Sequence, residues 1–384
     1  MRIVSVVGTR PQLIKAAVLQ PLLRARHDEI FIDTGQHYDE ALAGAFVQEL
    51  GLAPPDHVLG VGGGSATAQT AAMLSRLEPI LGATRPDAVV IYGDTNSTLV
   101  GALAASQLDL PVAHVEAGLR SFDRRMPEER NRIVADHLSS WLFAPTPTAV
   151  ANLGAEGIDR GVLLVGDLMQ DLAARVSAEV RDPVILDEIG RRLAIGPPGL
   201  RPGAYLFTTV HRAENREPAA IRAWADLLGA VASPTRPVVL ALHPGTAAAV
   251  AATGVELAPT IRVVEPQGYR ATLALQLHSA AVLTDSGGVQ REAAWLGVPC
   301  LVLRGTTEWV EAVQASGGRM AVVGLDRGLA VSTLVRIAPA GRSEQVAIDR
   351  AAALRVPPAG AAEAIVAALE AGPPRSLGRR SPSD

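Results

Sequence analysis

The chain has 384 residues, more than one ordinary hydrophobic core serves, so two domains are expected. Hydrophobic residues make up 48% and charged residues 19%, which excludes a disordered or fibrous chain. The formal net charge of -4 gives no electrostatic basis for a nucleic-acid or anionic-membrane partner, so a bound anion must be caught by a local set of donors.

The first predicted element is a strand over 3–7, too short for the apolar region of a signal peptide. No apolar run further along is long enough to span a bilayer, and a cytoplasmic location is expected. The strand turns at Gly8 into Thr9-Arg10-Pro11-Gln12-Leu13-Ile14-Lys15. Pro11 suits a first helical position, and Arg10 and Lys15 lie near a helix N-terminus, where backbone N–H groups already favour an anion. Lys15 is the one lysine among 35 basic residues, and a compact ammonium is not interchangeable with a guanidinium. Helical periodicity runs over 12–24 and again over 97–107, between strands at 30–33, 88–92 and 112–115. Strands at 141–144 and 162–165 complete the first series.

The strand 88–92 runs into Gly93-Asp94-Thr95, where Asp94 read alone is a helix cap. The next strand ends in His114-Val115-Glu116-Ala117-Gly118-Leu119-Arg120, and Glu116 there has no packing purpose. Pro127-Glu128-Glu129-Arg130-Asn131-Arg132 then opens a helix on which Glu128 and Arg132 stand four apart and share a face. A charged helical stretch and the cluster Gly196-Pro197-Pro198-Gly199 interrupt the pattern before strands at 205–210, 238–242, 261–264, 281–284 and 300–303. His211 beside Arg212, and His243, each follow a strand directly, and two such histidines point to a bound phosphate or sugar. Ser286-Gly287-Gly288 opens a helix after another strand, so its N–H groups can cradle a diphosphate, with Glu292 one turn on for ribose hydroxyls. Cys300, the sole cysteine, sits in an apolar run as a buried thiol and excludes an intrachain disulfide.

Apolar strands alternating with helices predict an α/β protein of two doubly wound Rossmann-like domains facing a cleft, with functional groups just after the strands. The expected division is 1–168, 169–356, a helix over 357–372 packing back on the first domain, and a disordered tail over 373–384. Three carboxylates, Asp94, Glu116 and Glu128, opposite a cationic nucleotide pocket describe proton transfer on a nucleotide-linked substrate. With no HExxH, no acidic metal pair beside the phosphate loops and no Cys/His cluster, neither a metal nor a cofactor is expected.

These motifs, in this order, resemble the non-hydrolysing UDP-N-acetylglucosamine 2-epimerases from Gly8-Thr9-Arg10-Pro11 through Thr306-Thr307-Glu308. Pro11 favours the non-hydrolysing branch. The resemblance implies a glycosyltransferase-B-like fold, a homodimer, and UDP contacts from Arg10, Lys15, Gln267, Ser286, Gly287, Gly288 and Glu292. It also implies that Asp94, Glu116, Glu128 and His211 lie near the reacting sugar, with Arg132 orienting Glu128. Arg212, His243 and Thr272 complete the expected substrate-binding set.

The activity implied is inversion at C2 of a UDP-N-acetylhexosamine, through loss of UDP to a 2-acetamidoglucal and re-addition. Which of the three carboxylates is base and which acid stays open at this level. Arg291 and Trp295 stand where many relatives carry Glu and Pro, and Gly305 where Asp is common. Tyr38-Asp39 and Gly62-Gly63-Gly64-Ser65 differ from the segment by which some relatives bind a second, activating UDP-sugar, so such activation is not expected. Gly35-Gln36-His37-Tyr38 and Thr307-Glu308-Trp309-Val310-Glu311 also occur in relatives acting on UDP-2,3-diacetamido-2,3-dideoxyglucuronate, the alternative substrate. A glycosyltransferase of the same fold and a non-catalytic UDP-sugar sensor are the readings from other classes; the missing Gly-rich fingerprint disfavours a nicotinamide oxidoreductase.

Overall fold

The computed structural model describes residues 1–36, 49–195, 200–339, 343–354 and 356–374. The readings made at His37, Tyr38 and Asp39, at 196–199, and at 375–384 lie outside them. The chain forms two compact units: the first comprises Met1–Leu172 with Pro358–Asp384, the second Ala173–Pro357.

In the first unit the strands are β1 (Arg2–Val7), β2 (Asp28–Asp33), β3 (His57–Val58), β4 (Ala88–Tyr92), β5 (Val112–Val115), β6 (Trp141–Ala144) and β7 (Val162–Leu164). All pair in parallel, in the order β3-β2-β1-β4-β5-β6-β7. Alternate residues of each strand face opposite sides. Ile3 and Val7 join a core with Leu13, Leu19 and Leu23 of the helix Arg10–Arg26, while Val4 and Val6 join Met73, Leu77 and Leu81 of the helix Ala66–Thr84. The closing helix Ala361–Glu370 adds Ile365, Val366 and Leu369 to the first of these cores. Its N-terminus is capped from elsewhere: the Asp171 carboxylate accepts the N–H groups of Gly360, Ala361 and Ala362 at 2.9, 2.9 and 3.2 Å.

The second unit holds β8 (Leu206–Val210), β9 (Val238–Leu242), β10 (Ile261–Val264), β11 (Ala281–Thr284), β12 (Cys300–Val302) and β13 (Met320–Val322), again all parallel, in the order β10-β9-β8-β11-β12-β13. Both units are therefore doubly wound α/β layers. Two strands escape the sequence pattern. β3 has two exposed residues and β13 only three, too few for an alternation or an apolar run to register. The helix Ala66–Thr84 also departs from a plain helical pattern, since Pro79 and Gly82 interrupt it, but Met73, Leu77 and Leu81 recur every fourth residue and bury one face.

Each sheet reverses strand order between its first and fourth strands in chain sequence: β1 beside β4, and β8 beside β11. Loops leaving such a pair at their carboxyl ends diverge to opposite faces and leave a crevice for ligand. That geometry sets where polar groups collect.

Candidate active site

In the first unit the crevice is built by the loops after β1, β4 and β5. Gly8 makes the closest turn. A Cβ there would stand 2.0 Å from Thr34 Oγ1 and 2.1 Å from Ser97 Oγ, two hydroxyls hydrogen-bonded to each other at 2.8 Å. Gly8→Ala is therefore expected to destabilise the protein by about 3 kcal/mol, read by chemical denaturation; an unchanged unfolding midpoint would contradict this packing. Gln12 stitches the same loop. Its Oε1 accepts the N–H groups of Gly8 and Thr9 at 2.8 and 3.2 Å, and its Nε2 donates to Tyr92 O at 2.6 Å and Thr98 Oγ1 at 2.9 Å. The β1 and β4 loops are thus locked together by one amide that the sequence offered only as part of a helix start.

Lys15 faces inward from the second turn of its helix and ion-pairs with Glu116; the two side chains are 8% and 11% exposed. Within its own unit the ammonium, expected to face a phosphate, is paired with a carboxylate. Glu116 holds a left-handed backbone at φ 72°, a conformation that costs a non-glycine residue about 1–3 kcal/mol and collects at functional sites. Gly93 closes over the pair, because a Cβ on it would lie 3.4 Å from Glu116 Oε2 and 3.6 Å from Lys15 Nζ.

Asp94, next in chain, is about one-third exposed and ion-pairs with Arg132. Sequence spacing had pointed to Glu128 as the partner of Arg132. The guanidinium is taken by Asp94 and, three residues back on its own helix, by Glu129 at 3.2 Å. Glu129 is buried because its carboxylate accepts the N–H of Ser121 at 2.8 Å and of Phe122 at 2.9 Å, shaping the loop after Glu116. Glu128, half-buried in the first turn of the helix Pro127–Leu138, lies one position off that network.

Below these groups His114 bridges both loops. Its Nδ1 meets Asp136 Oδ1 at 2.6 Å and its Nε2 meets Gly93 O at 2.7 Å. Asp136 also pairs with Arg120 at 2.7 Å and accepts the N–H of Gly118 at 3.1 Å. Burial alone pushes the Asp136 carboxyl up, but the charges and hydrogen bonds of His114 and Arg120 outweigh it and hold it below the usual range. One buried anion thereby ties the residue before Asp94 to the turn after Glu116.

In the second unit the organising group is Asp285, fully buried at the end of β11. It accepts the backbone N–H of His211 at 3.0 Å and of Arg212 at 2.9 Å, and Asn215 Nδ2 at 2.9 Å. It also pairs with His211 Nδ1 at 2.9 Å, leaving Nε2 as the outward atom of a side chain 42% exposed. Burial raises the Asp285 carboxyl, and these partners, His211 foremost, more than reverse it, so the group stays below its ordinary value. Ser286 N-caps the helix Gly287–Trp295, its Oγ accepting Val289 N–H at 3.5 Å. The first N–H groups of that helix, on Gly287 and Gly288, have no intrahelical acceptor by construction, an arrangement that favours an anion.

The remaining expected residues are more engaged with the chain than foreseen. Glu292 is buried, accepting from Gln276 Nε2 at 2.5 Å. Gln267 accepts from Arg192 at 2.7 Å and donates to Glu265 O at 2.7 Å. The Thr272 hydroxyl donates to Gln267 O at 3.3 Å. His243 caps the helix Pro244–Thr253, its Nδ1 accepting Gly245 N–H at 3.2 Å, which is the structural use of a histidine after a strand. Arg10 begins its helix and is half-buried. Gln12, Glu129, Asp136 and Asp285 were not singled out from the sequence; of these only Asp285 carried a signal, as a carboxylate at the end of an apolar strand. Among the described residues no helix is long and apolar enough to cross a membrane.

Two doubly wound units, each with charged groups gathered at its topological switch point, define an α/β enzyme of the paired Rossmann-like class. Residues 22–355 match the family model described as UDP-N-acetylglucosamine 2-epimerase. The chain is 42% identical over 319 residues to a UDP-N-acetylglucosamine 2-epimerase homolog of Methanococcus maripaludis, covering 82% of this chain and 86% of that one. It is 40% identical over 339 residues to the UDP-2,3-diacetamido-2,3-dideoxy-D-glucuronate 2-epimerase of Pseudomonas aeruginosa, covering 87% and 91%. Its fold is similar to the crystal structure of Methanocaldococcus jannaschii UDP-GlcNAc 2-epimerase in complex with UDP-GlcNAc and UDP, at TM-score 0.83 and 33% identity over 97% of this chain and 100% of that one. The chain belongs to the UDP-N-acetylglucosamine 2-epimerase family.

Proposed function

We propose that this protein interconverts UDP-N-acetylglucosamine and UDP-N-acetylmannosamine without hydrolysing them. The C2 proton of the sugar is not beside a carbonyl, so its removal alone would leave an unstabilised carbanion. Breaking the C1–O bond at the same time lets the C2–H electron pair form a C1=C2 bond, while the C1–O pair departs on the diphosphate. UDP and a 2-acetamidoglucal result. Delivery of a proton to the other face of C2 and return of the diphosphate oxygen to C1 complete inversion.

The observation that carries this reading is the buried Lys15–Glu116 pair beside Asp94–Arg132: two carboxylates, each held by a cation, at the carboxyl ends of adjacent strands. Glu128 is the third carboxylate near the sugar. The growing charge on UDP would be met by Arg10, His211, Arg212 and the N–H groups of Gly287 and Gly288 after Ser286, with Gln267, Thr272, Glu292 and His243 lining the nucleotide. The same reading includes a cytoplasmic homodimer acting without a metal or cofactor, supported by the family resemblance.

Incubation with UDP-N-acetylglucosamine in D2O, without any acceptor, tests it. Deuterium is expected at C2 of both epimers, with traces of UDP and glycal. Turnover only with an acceptor would mean a glycosyltransferase, and binding without exchange a sensor. A second substrate reading is favoured by the segment Thr307-Glu308-Trp309-Val310-Glu311 and by 40% identity to the P. aeruginosa diacetamidoglucuronate enzyme, which lies between 42% to the M. maripaludis UDP-N-acetylglucosamine 2-epimerase homolog and 38% to the M. jannaschii UDP-N-acetylglucosamine 2-epimerase. The same D2O experiment run with both nucleotide sugars decides between them by initial rate.

A further inference from the structure

Trp309 belongs to none of the groups above, yet its side chain reaches the anion-binding end of the helix Gly287–Trp295. The segment that carries it is fastened to that helix at two consecutive residues. Thr307 Oγ1 donates to Gln290 Oε1 at 2.6 Å and accepts the Trp309 backbone N–H at 3.2 Å. The Arg291 guanidinium stacks on the Trp309 ring, its central carbon 3.9 Å from a ring centroid. Trp309 is 7% exposed, so the ring has little freedom.

A buried indole N–H ordinarily finds an acceptor. That of Trp309, in a residue 7% exposed, makes no hydrogen bond to another described residue, so it stays available to a ligand at the edge of the helix terminus. It stands 2.9 Å from where a Cβ on Gly287 would be. Cα–Cβ bonds in a helix tilt toward its N-terminus, so this position lies at the open end of the helix, beside the N–H groups of Gly287 and Gly288. Any side chain at Gly287 would displace the indole. The glycine thus serves two ends: it exposes backbone N–H to a ligand and admits a third donor next to it.

We propose that Trp309 is a ligand-binding residue whose indole N–H donates to the anionic group held at this helix terminus, a phosphate of a nucleoside diphosphate. The proposal rests on the nucleotide-binding reading above. Arg291, stacked on the ring, fixes its plane and adds positive potential behind the donor.

Trp309→Phe removes the N–H and keeps a ring for Arg291. Calorimetry is expected to show UDP binding weakened about tenfold, the usual effect of losing a hydrogen bond to a charged group. With four tryptophans in the chain, the indole signal missing from the variant's 15N spectrum identifies Trp309 in the wild type. In the wild type that signal is expected to move downfield on adding UDP. Unchanged UDP affinity in the variant, or an indole signal indifferent to UDP in the wild type, overturns the proposal while leaving the epimerase reading intact. If Trp309→Phe folds poorly, Trp309→Tyr supplies the assignment instead, and the wild-type indole shift decides. Wild-type protein that binds no UDP at all would overturn the epimerase reading, and this inference with it.

Discussion

Lys15→Met is expected to lower C2 deuterium exchange by on the order of 100-fold or more and to destabilise the protein by about 3–5 kcal/mol. The two effects share one cause. The ammonium and the Glu116 carboxylate are both about nine-tenths buried, and a buried charge stripped of its partner keeps the full cost of leaving water. A carboxylate without its cation is also no longer poised to take the C2 proton. Lys15→Met combined with Glu116→Gln separates the two, since it leaves no charge behind: thermal stability should return toward the wild type while exchange stays absent. Lys15→Arg should also lose most turnover, because Gly93 closes over the ammonium and leaves little room for a planar guanidinium. Exchange at the wild-type rate in Lys15→Met would remove Glu116 from the chemistry.

The second large effect is expected at Asp285→Asn. The carboxylate takes three N–H donors and the His211 ring with two oxygens, and an amide can offer only one acceptor to that set. His211 loses the partner that fixes its ring, and turnover should fall by on the order of 100-fold or more. Stability carries a pH signature of defined sign. Asp285 is held below its ordinary value of 3.8, so its contribution is fully present above about pH 4 and is lost as the pH falls through the lowered folded-state value. Asp136, depressed in the same direction by His114 and Arg120, acts in the same window. Thermal denaturation from neutral pH down to about pH 3 should therefore fall off less steeply in Asp285→Asn than in the wild type. Parallel curves would mean that Asp285 is not ionised in the folded protein.

Much of the architecture was legible because parallel sheets covered on both faces write themselves as apolar runs. Eleven expected strands are present, and the two overlooked, β3 and β13, have only two and three residues. Motif position was legible for the same reason: the expected site residues of β1, β4, β5, β8 and β11 lie just after a strand or in the first turns of the helix that follows, because that is where a doubly wound sheet leaves its crevice. Partnership was not. Helical spacing offered Glu128 to Arg132, and the guanidinium went to Asp94, 38 residues away, and to Glu129.

The amino-acid sequence by itself determined the class of fold, the family, and which loops carry charge, since each depends on local periodicity or on contiguous motifs. Only the tertiary structure decided which charges neutralise one another: Lys15 with Glu116, Arg132 with Asp94, His211 with Asp285. These pairs join residues 38 to 101 positions apart in sequence that the folding of each parallel sheet brings together. Coulomb energy and desolvation depend on distance through space and on burial, and neither is written in the spacing of residues along a chain.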